Sequence, residues 1–380
     1  IVLEEDIIID NFKANFNGDN YVIYSNNHIK AYKTLTVLGE IQMNLGLFGE
    51  NNGTISNLIM VNNANINIED VTLLNLGNVT GLNNGSIDNI IVYYNVNINY
   101  NNDINLGDIC ANNENVTSYS VYNSKLTLNS VETTNNNMLD KHLHSKNTSV
   151  LNVENNQYVV KSSEELAYLL TLTNIDKDVV IKNDIDLKGK IFESINYDIN
   201  IISNGYIIKN LVSLNNNYIF NNVTLNSVAF EDIVNINLFN TSNFILNANK
   251  IEKTYLTFSI NNSNYIIENN NGEIINSYFI ANNGTFINQN NGTIVNSYVY
   301  KLEVKTEDTL NNFVKIIDET SVDEFISKVD NNIWFKDSKN IMGTGILPSM
   351  YTIGNYVVKL IYDEDKIGVM SYPDNEIYTL

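Results

Sequence analysis

Apolar residues come along this chain in runs of three to five, and the stretches between the runs are dominated by asparagine. The pattern is sharpest at Gly46-Leu47-Phe48-Gly49-Glu50-Asn51-Asn52-Gly53-Thr54-Ile55-Ser56-Asn57-Leu58-Ile59-Met60. An apolar pair gives way to an Asn-Asn-Gly turn, then to alternating polar and apolar residues, then to an apolar run. Alternation with a period of two marks a strand with one buried face, and Asn-Gly tolerates the left-handed backbone of a tight corner. The reading is strand, corner, strand. The device recurs with Asn84-Gly85 ahead of Ile90-Ile91-Val92-Tyr93, Asn271-Gly272 ahead of Ser277-Tyr278-Phe279-Ile280, and Asn291-Gly292 ahead of Ser297-Tyr298-Val299-Tyr300. A fifth copy, Asn282-Asn283-Gly284-Thr285-Phe286-Ile287-Asn288, stands between the last two.

Residues 46–60 resemble the GLUG motif, a short repeat of large bacterial surface proteins that include adhesins and the non-catalytic region of IgA-specific metallopeptidases. The resemblance is close over that run and looser at the other copies. It implies an all-β fold, a right-handed parallel β-helix. It also implies a structural role, without chemistry, for Gly46, Gly49, Asn52, Gly53, Asn57, Gly85, Asn89, Gly272, Asn276, Gly284, Gly292 and Asn296. In such a solenoid successive passes stack at about 4.8 Å, so equivalent residues form columns. Asn at a corner can then adopt the left-handed conformation and hydrogen-bond its amide to that of the same Asn one pass away, while Ile, Val and Leu fill the interior. An array of β-sandwiches is the alternative for so many short strands.

Two stretches look alike at long range. Ile1 to Ile9 matches Val179 to Leu187 at an offset of 178 residues, and Tyr21-Val22-Ile23 matches Tyr206-Ile207-Ile208 at 185. This reads as a tandem duplication with a short insertion. The expected units are residues 1–157 and 158–350, with 351–380 as a short C-terminal β extension or the start of a further module. Ser162-Ser163-Glu164-Glu165 is a capping box ahead of apolar residues at helical spacing, so a short helix is expected to cover the open end of the second unit. The order of apolar runs after it also resembles the usual start of GLUG-containing domains, and the absence of such a helix from the first unit suggests a cap upstream of Ile1. Residues 131–149 read as a linker loop. Ser321 is the expected N-cap of a second helix, and Trp334 with Gly343 to Pro348 resembles the closing pattern of such domains.

Composition narrows the function. The net charge is −21 and every basic residue is a lysine, which disfavours nucleic acid, anionic membrane surfaces and tight phosphate recognition. No apolar run approaches the roughly 18 residues of a membrane span. Asparagine makes up about a fifth of the chain, yet it is interleaved with Ile, Leu, Val and Tyr at strand spacing, which argues for order. Two prolines leave strand pairing almost uninterrupted, and the single Cys110 excludes an internal disulfide framework.

Candidate chemistry is sparse. Lyases built on parallel β-helices use an arginine or lysine base, and arginine is missing. Asp184 and Asp186 share a strand face, but no third acid follows at matching spacing. His142 and His144 stand two apart with only Asp140 nearby, a weak metal pattern, and His28 is alone. Asn-x-Ser/Thr sequons are no commoner than chance allows. Tyr93, Tyr94, Tyr278, Tyr298 and Tyr300 follow the Asn-Asn-Gly corners and are the candidate binding residues, because outward tyrosines on a flat sheet can stack on sugars or meet a protein; the alternative is half-buried strand residues, common in any β protein.

The expected protein is a non-enzymatic, extracellular or cell-surface repeat protein, a rigid spacer and binding surface of the adhesin kind. Its partner is an extracellular protein or a glycan, with no nucleic acid, no membrane insertion, no cofactor and no catalytic or metal-binding residue. Calcium is possible at acidic turns but no ligand pattern supports it. Two alternatives are a secreted scaffold that docks partner proteins and a polysaccharide-active β-helix enzyme.

Overall fold

The computed structural model describes residues 1–133, 151–336 and 347–379, except positions 32, 36–38, 113–114, 122–123, 204, 215, 240–241, 306–309, 351, 354–355, 358, 364–365 and 371–376. For residues 132–133, 310–311 and 351–379 it describes the backbone alone. Among the described residues strands dominate, with two short helices. Contacts divide the chain into residues 1–143 and 144–380.

In residues 1–143 the chain makes the same set of strands in successive passes. Ile41–Leu45, Phe48–Asn51 and Thr54–Asn67 are followed by Leu73–Leu76, Thr80–Asn83 and Ser86–Asn99. Each strand pairs in parallel with its counterpart in the next pass, so Leu45 meets Leu76, Asn51 meets Asn83 and Asn67 meets Asn99. Parallel neighbours need a long connection between them, and here the strands of the other two sheets provide it. The fold is all-β with parallel sheets, and the hairpin-linked sandwich alternative does not describe it. Antiparallel pairs such as Lys125–Leu128 with Val131–Thr133 lie at the margins of the sheets. Ile23, Met60, Val92 and Val121 stack into one buried column, each side chain stabilising the fold by about 1.5–3 kcal/mol relative to exposure.

In residues 144–380 the strands from Gln157–Val160 to Val314–Ile316 fall into two parallel sheets. The interior column on one sheet is Ile201, Leu225, Ile251, Ile274 and Ile294, each at 0–1% exposure. On the other it runs Ile208, Phe230, Leu256, Phe279 and Val299, and the next position is Lys315. Lys315 Nζ reaches Glu303 Oε1 at 3.0 Å, so the apolar column ends in an ion pair. Helix α1, Ser163–Leu170, buries Leu166, Ala167, Leu169 and Leu170 in the same core as Val160 and Val179. Its predicted capping box is formed: Ser162 Oγ accepts from Glu165 N–H at 3.3 Å, and Glu165 Oε2 accepts from Ser162 N–H at 3.1 Å.

Helix α2, Glu319–Lys328, starts two residues before the predicted Ser321 cap. Asp318 is the cap and Ser321 its reciprocating partner: Asp318 Oδ1 accepts from Ser321 N–H at 2.9 Å while Ser321 Oγ accepts from Asp318 N–H at 3.0 Å. A carboxylate is the better acceptor at a helix start. Beyond Met350 the chain forms Thr352–Ile353 with Tyr356–Val357, then an antiparallel meander of Lys359–Asp363, Lys366–Met370 and Ile377–Thr379. The expected linker, except its edge at 131–133, lies outside the described residues, as do Gly343 to Ile346.

The offset of 185 is corrected by the pairing. Val2 pairs with Tyr24, and Val180 pairs with Ile202. One offset of 178 therefore carries both partners of the first pair onto the second, and no insertion is needed. Tyr206 to Ile208 resembles Tyr21 to Ile23 because both are apolar strand starts. Val22 and Ile23 pair within the sheet that holds Val2, whereas Ile208 pairs with Ile185 in the other sheet of its unit.

At the corners asparagine takes the left-handed backbone as expected, but four residues past the glycine in four of the Asn-Asn-Gly turns. Gly53, Gly85, Gly272 and Gly292 are not the left-handed residues. That conformation falls on Asn57 (φ 52°), Asn89 (φ 51°), Asn276 (φ 48°) and Asn296 (φ 50°). The glycines serve a different need, close backbone approach. A Cβ on Gly85 would lie 2.1 Å from Gly53 O, one on Gly292 1.8 Å from Gly272 O, and one on Gly272 1.7 Å from Asn249 O. Glycine stacks on glycine from pass to pass. Gly46 and Gly49 are hemmed in likewise, by Thr80 Cα at 2.7 Å and Asp10 O at 2.8 Å. The fifth copy is of another kind: Gly284 is left-handed (φ 101°) and opens the strand Thr285–Asn290.

Asparagine does form the expected ladders. Asn89 Nδ2 donates to Asn57 Oδ1 at 2.7 Å, and Asn57 Nδ2 to Asn17 Oδ1 at 3.0 Å. Asn83 Oδ1 accepts from Asn51 Nδ2 at 2.7 Å, and Asn84 Nδ2 reaches Asn52 Oδ1 at 3.4 Å. In the other unit Asn270 joins Asn290 and Asn296 joins Asn312, at 2.7 and 2.9 Å. The passes these bonds span are 32 residues at Asn57–Asn89 but 24 at Asp198–Asn222, 22 at Asn247–Asn269, 20 at Asn271–Asn291 and 16 at Asn296–Asn312.

Candidate binding surfaces

Tyr255, Tyr278 and Tyr298 occupy one register position on three successive strands. Their rings stack face to face, 4.8 Å and 5.0 Å between centroids with planes 2° and 5° apart. They point away from the interior that holds Leu256, Phe279 and Val299. Left open, such a column would be a platform for sugar rings. It is covered instead. Val322 and Phe325 of α2 pack on it, and Trp334 stands 6.2 Å from Tyr278 and 5.7 Å from Tyr298. Tyr298 donates its hydroxyl to Pro348 O at 2.7 Å, and Tyr255 to Glu231 Oε1 at 2.7 Å.

The outward placement expected of the candidate tyrosines is therefore corrected for four of the five. Tyr278 and Tyr298 lie under the segment that follows Val299, whose fold-back the local pattern did not reveal. Tyr94 faces the interior of the first unit and donates its hydroxyl to Asp108 Oδ1 at 2.5 Å. Tyr93, on the opposite face of that strand, is also fully buried. Tyr300 alone is half-exposed, at the rim of the covered column. Burial pushes the hydroxyls of Tyr94, Tyr255, Tyr278 and Tyr298 far above the ordinary tyrosine range, so these groups stay neutral.

Removing Phe325 tests the cover. Phe325→Ala is expected to cost about 3–5 kcal/mol. It should also redden and weaken the emission of Trp334, which packs 5.0 Å from Phe325 and is the only tryptophan. Emission identical to that of the parent would show that the cover does not depend on this contact.

Asp184, Asp186 and Lys209 are engaged in hydrogen bonds and an ion pair within the fold. Asp184 Oδ1 accepts from Ile207 N–H at 2.9 Å, and Asp186 Oδ1 from Lys188 N–H at 2.9 Å and Asn210 Nδ2 at 2.7 Å. Lys209 Nζ lies 2.9 Å from Glu231 Oε2. The hydrogen bond to Glu231 raises the Lys209 pKa, away from the direction a lysine base needs. His28 Nδ1 lies 3.3 Å from Asp6 Oδ1 on an exposed surface, and His142 and His144 fall outside the described residues. Among the described residues no group of three or more His, Cys, Asp or Glu could hold a metal ion, and no helix is long and apolar enough to cross a membrane.

One surface was not singled out from the sequence. Outward positions on Thr54–Asn67 and Ser86–Asn99 carry Asn63, Asn65 and Asn67 beside Asn95, Asn97 and Asn99. Each pair is bridged amide to amide, at 3.3, 2.9 and 2.7 Å. Neighbours stand about 6.6 Å apart along the strand and about 4.8 Å across it. Asn97 and Asn99 each spend one amide N–H on Asn65 or Asn67 and carry a second, so these four amides have donors and acceptors to offer a ligand. The grid carries no charge in a chain of net charge −21. Its signal was present in the sequence as Asn at every second position over the last five residues of both strands. No family model, curated protein or solved structure matches this chain.

Proposed function

We propose that the chain is a non-enzymatic repeat protein of the cell surface or extracellular space, built as tandem right-handed parallel β-helices of the GLUG kind. It serves as a stiff spacer that carries a binding surface, in the manner of an adhesin. The observation that carries this reading is the uncharged amide grid of Asn63, Asn65, Asn67, Asn95, Asn97 and Asn99, held by the parallel ladder beneath it. Paired donors and acceptors at fixed spacing suit the hydroxyls of a neutral glycan or the polar surface of a protein. The strong acidity of the chain favours neutral partners over anionic ones. Ordered backbone pairing from pass to pass supports the spacer role, because each pass is fixed by its neighbours.

The test is capture by the whole protein on a glycan array and from the secretome of its source organism. A neutral glycan or a defined extracellular protein should be retained, and the retention should be lost in the Asn65→Ala/Asn97→Ala variant. Retention unchanged in that variant would move the binding surface elsewhere. One protein domain recurring at a fixed stoichiometry per unit would make the chain a docking scaffold, and cleavage of a retained sugar would make it an enzyme.

A further inference from the structure

The structure assigns Asn283 as a site of spontaneous covalent modification, deamidation through a cyclic imide. In an Asn-Gly dipeptide the deprotonated amide nitrogen of glycine attacks the asparagine carboxamide carbon. The new N–C bond closes a five-membered succinimide, and ammonia leaves with the proton. Water then opens the ring at either carbonyl and gives aspartate or isoaspartate. The sum is asparagine plus water to aspartate plus ammonia, with no oxidant or reductant. Two conditions decide whether a folded chain permits it: the glycine nitrogen must be free, and the carboxamide must be free to swing onto it.

The described residues hold six Asn-Gly dipeptides, and the fold treats them differently. Gly18 N–H donates to Ser56 O at 2.8 Å, Gly53 N–H to Asn51 Oδ1 at 3.0 Å, Gly85 N–H to Asn51 O at 2.9 Å and Gly272 N–H to Asn270 Oδ1 at 3.4 Å. Those nitrogens are engaged. The carboxamides before them are held as well, Asn52 Nδ2 by Glu50 Oε1 at 2.9 Å and Asn84 Nδ2 by Glu50 Oε1 at 2.7 Å. At Asn291-Gly292 the carboxamide is held by Asn271 Oδ1 at 3.2 Å. Asn283-Gly284 has neither restraint. Asn283 is exposed, its carboxamide makes no hydrogen bond among the described residues, and neither does the Gly284 N–H. Gly284 also lies outside any strand, at φ 101°. The Asn-Gly corners that stack are thus shielded from a reaction to which their sequence exposes them, and the one copy used differently is left open. Reaction there writes a new carboxylate, and in the isoaspartyl form an extra backbone methylene, at the entry to Thr285–Asn290.

The whole protein, folded in mildly alkaline buffer and in parallel in concentrated urea, is sampled over time, digested and mapped by mass spectrometry for deamidation and isoaspartate. In the folded protein Asn283 is expected to react at least about tenfold faster than Asn17, Asn52, Asn84 or Asn271, since each engaged nitrogen must first lose a hydrogen bond. Asn291 should fall between, and urea should abolish the differences. Asn283→Gln should remove the mass gain from its peptide. The inference is overturned if Asn283 is no faster than the corner asparagines in the folded state, or if the same order persists in urea.

Discussion

Raising the pH past about 10, the ordinary range of a tyrosine hydroxyl, is expected to destabilise residues 144–380 steeply. Tyr255, Tyr278 and Tyr298 have pKa values raised first by burial, and Tyr197, whose hydroxyl donates to Leu169 O, is pushed up to about 12. In the unfolded chain the same groups ionise near their ordinary value. Above it the unfolded state has lost protons that the folded state still holds, so stability is complete below that pH and falls as pH rises through the window above it. Each tyrosine contributes a slope of about 1.4 kcal/mol per pH unit there, and the stacked three together about 4 kcal/mol per unit. Against a total stability on the order of 5–15 kcal/mol, about one to four pH units suffice to unfold the unit. Urea midpoints across an alkaline series, read with tyrosinate absorbance, check this. Lysines titrate in the same range, so the Tyr278→Phe/Tyr298→Phe protein is the reference and should show a shallower loss. Equal slopes in both proteins, or tyrosinate appearing before the fold is lost, would contradict the buried column.

The second large effect is expected at the stacked glycines. Gly272→Val places a Cβ where only 1.7 Å separates it from Asn249 O. That oxygen is backbone, so no rotamer change relieves the clash and the spacing between passes must open. A loss of about 3–5 kcal/mol is expected, at the upper end of single substitutions. Asn271→Ala, one residue earlier with an exposed side chain, should cost about 1 kcal/mol or less. Comparing their urea midpoints decides the point. Equal stability of Gly272→Val and Asn271→Ala would mean that the Asn249 carbonyl does not close on Gly272.

Much of the fold was legible in short patterns. Alternation after each Asn-Asn-Gly located strands, the Ser162/Glu165 pair located α1, and asparagine columns announced the ladders. Each of these signals is local, or repeats at the step of one pass. What escaped depends on contacts between distant segments. The role of Gly53 and Gly272 is set by the oxygens of Ala14 and Asn249 in the preceding pass, which a tolerance for left-handed backbone does not reveal. The tyrosines following the corners were read as outward, and Tyr278 and Tyr298 do leave the interior. Their cover comes from Phe325 and Trp334, and nothing near the tyrosines encodes it. The amide grid was visible as alternating asparagine, yet asparagine is so common here that the spacing stood out only once the two strands were seen side by side.

The stacked glycines also bear on how such a gene can change length. Asn57 and Asn89 are 32 residues apart, Asn271 and Asn291 only 20, yet in both units the corner glycine of one pass rests on that of the next. Unequal recombination between two corner codons removes or adds one whole pass, whatever its length, and leaves every corner glycine against a backbone oxygen of the pass before it. A crossover at any other phase sets a side chain against a carbonyl. The corner is therefore a joint at which the gene can be cut and rejoined without breaking the protein, and its recurrence gives the chain a means of growing or shrinking by whole passes.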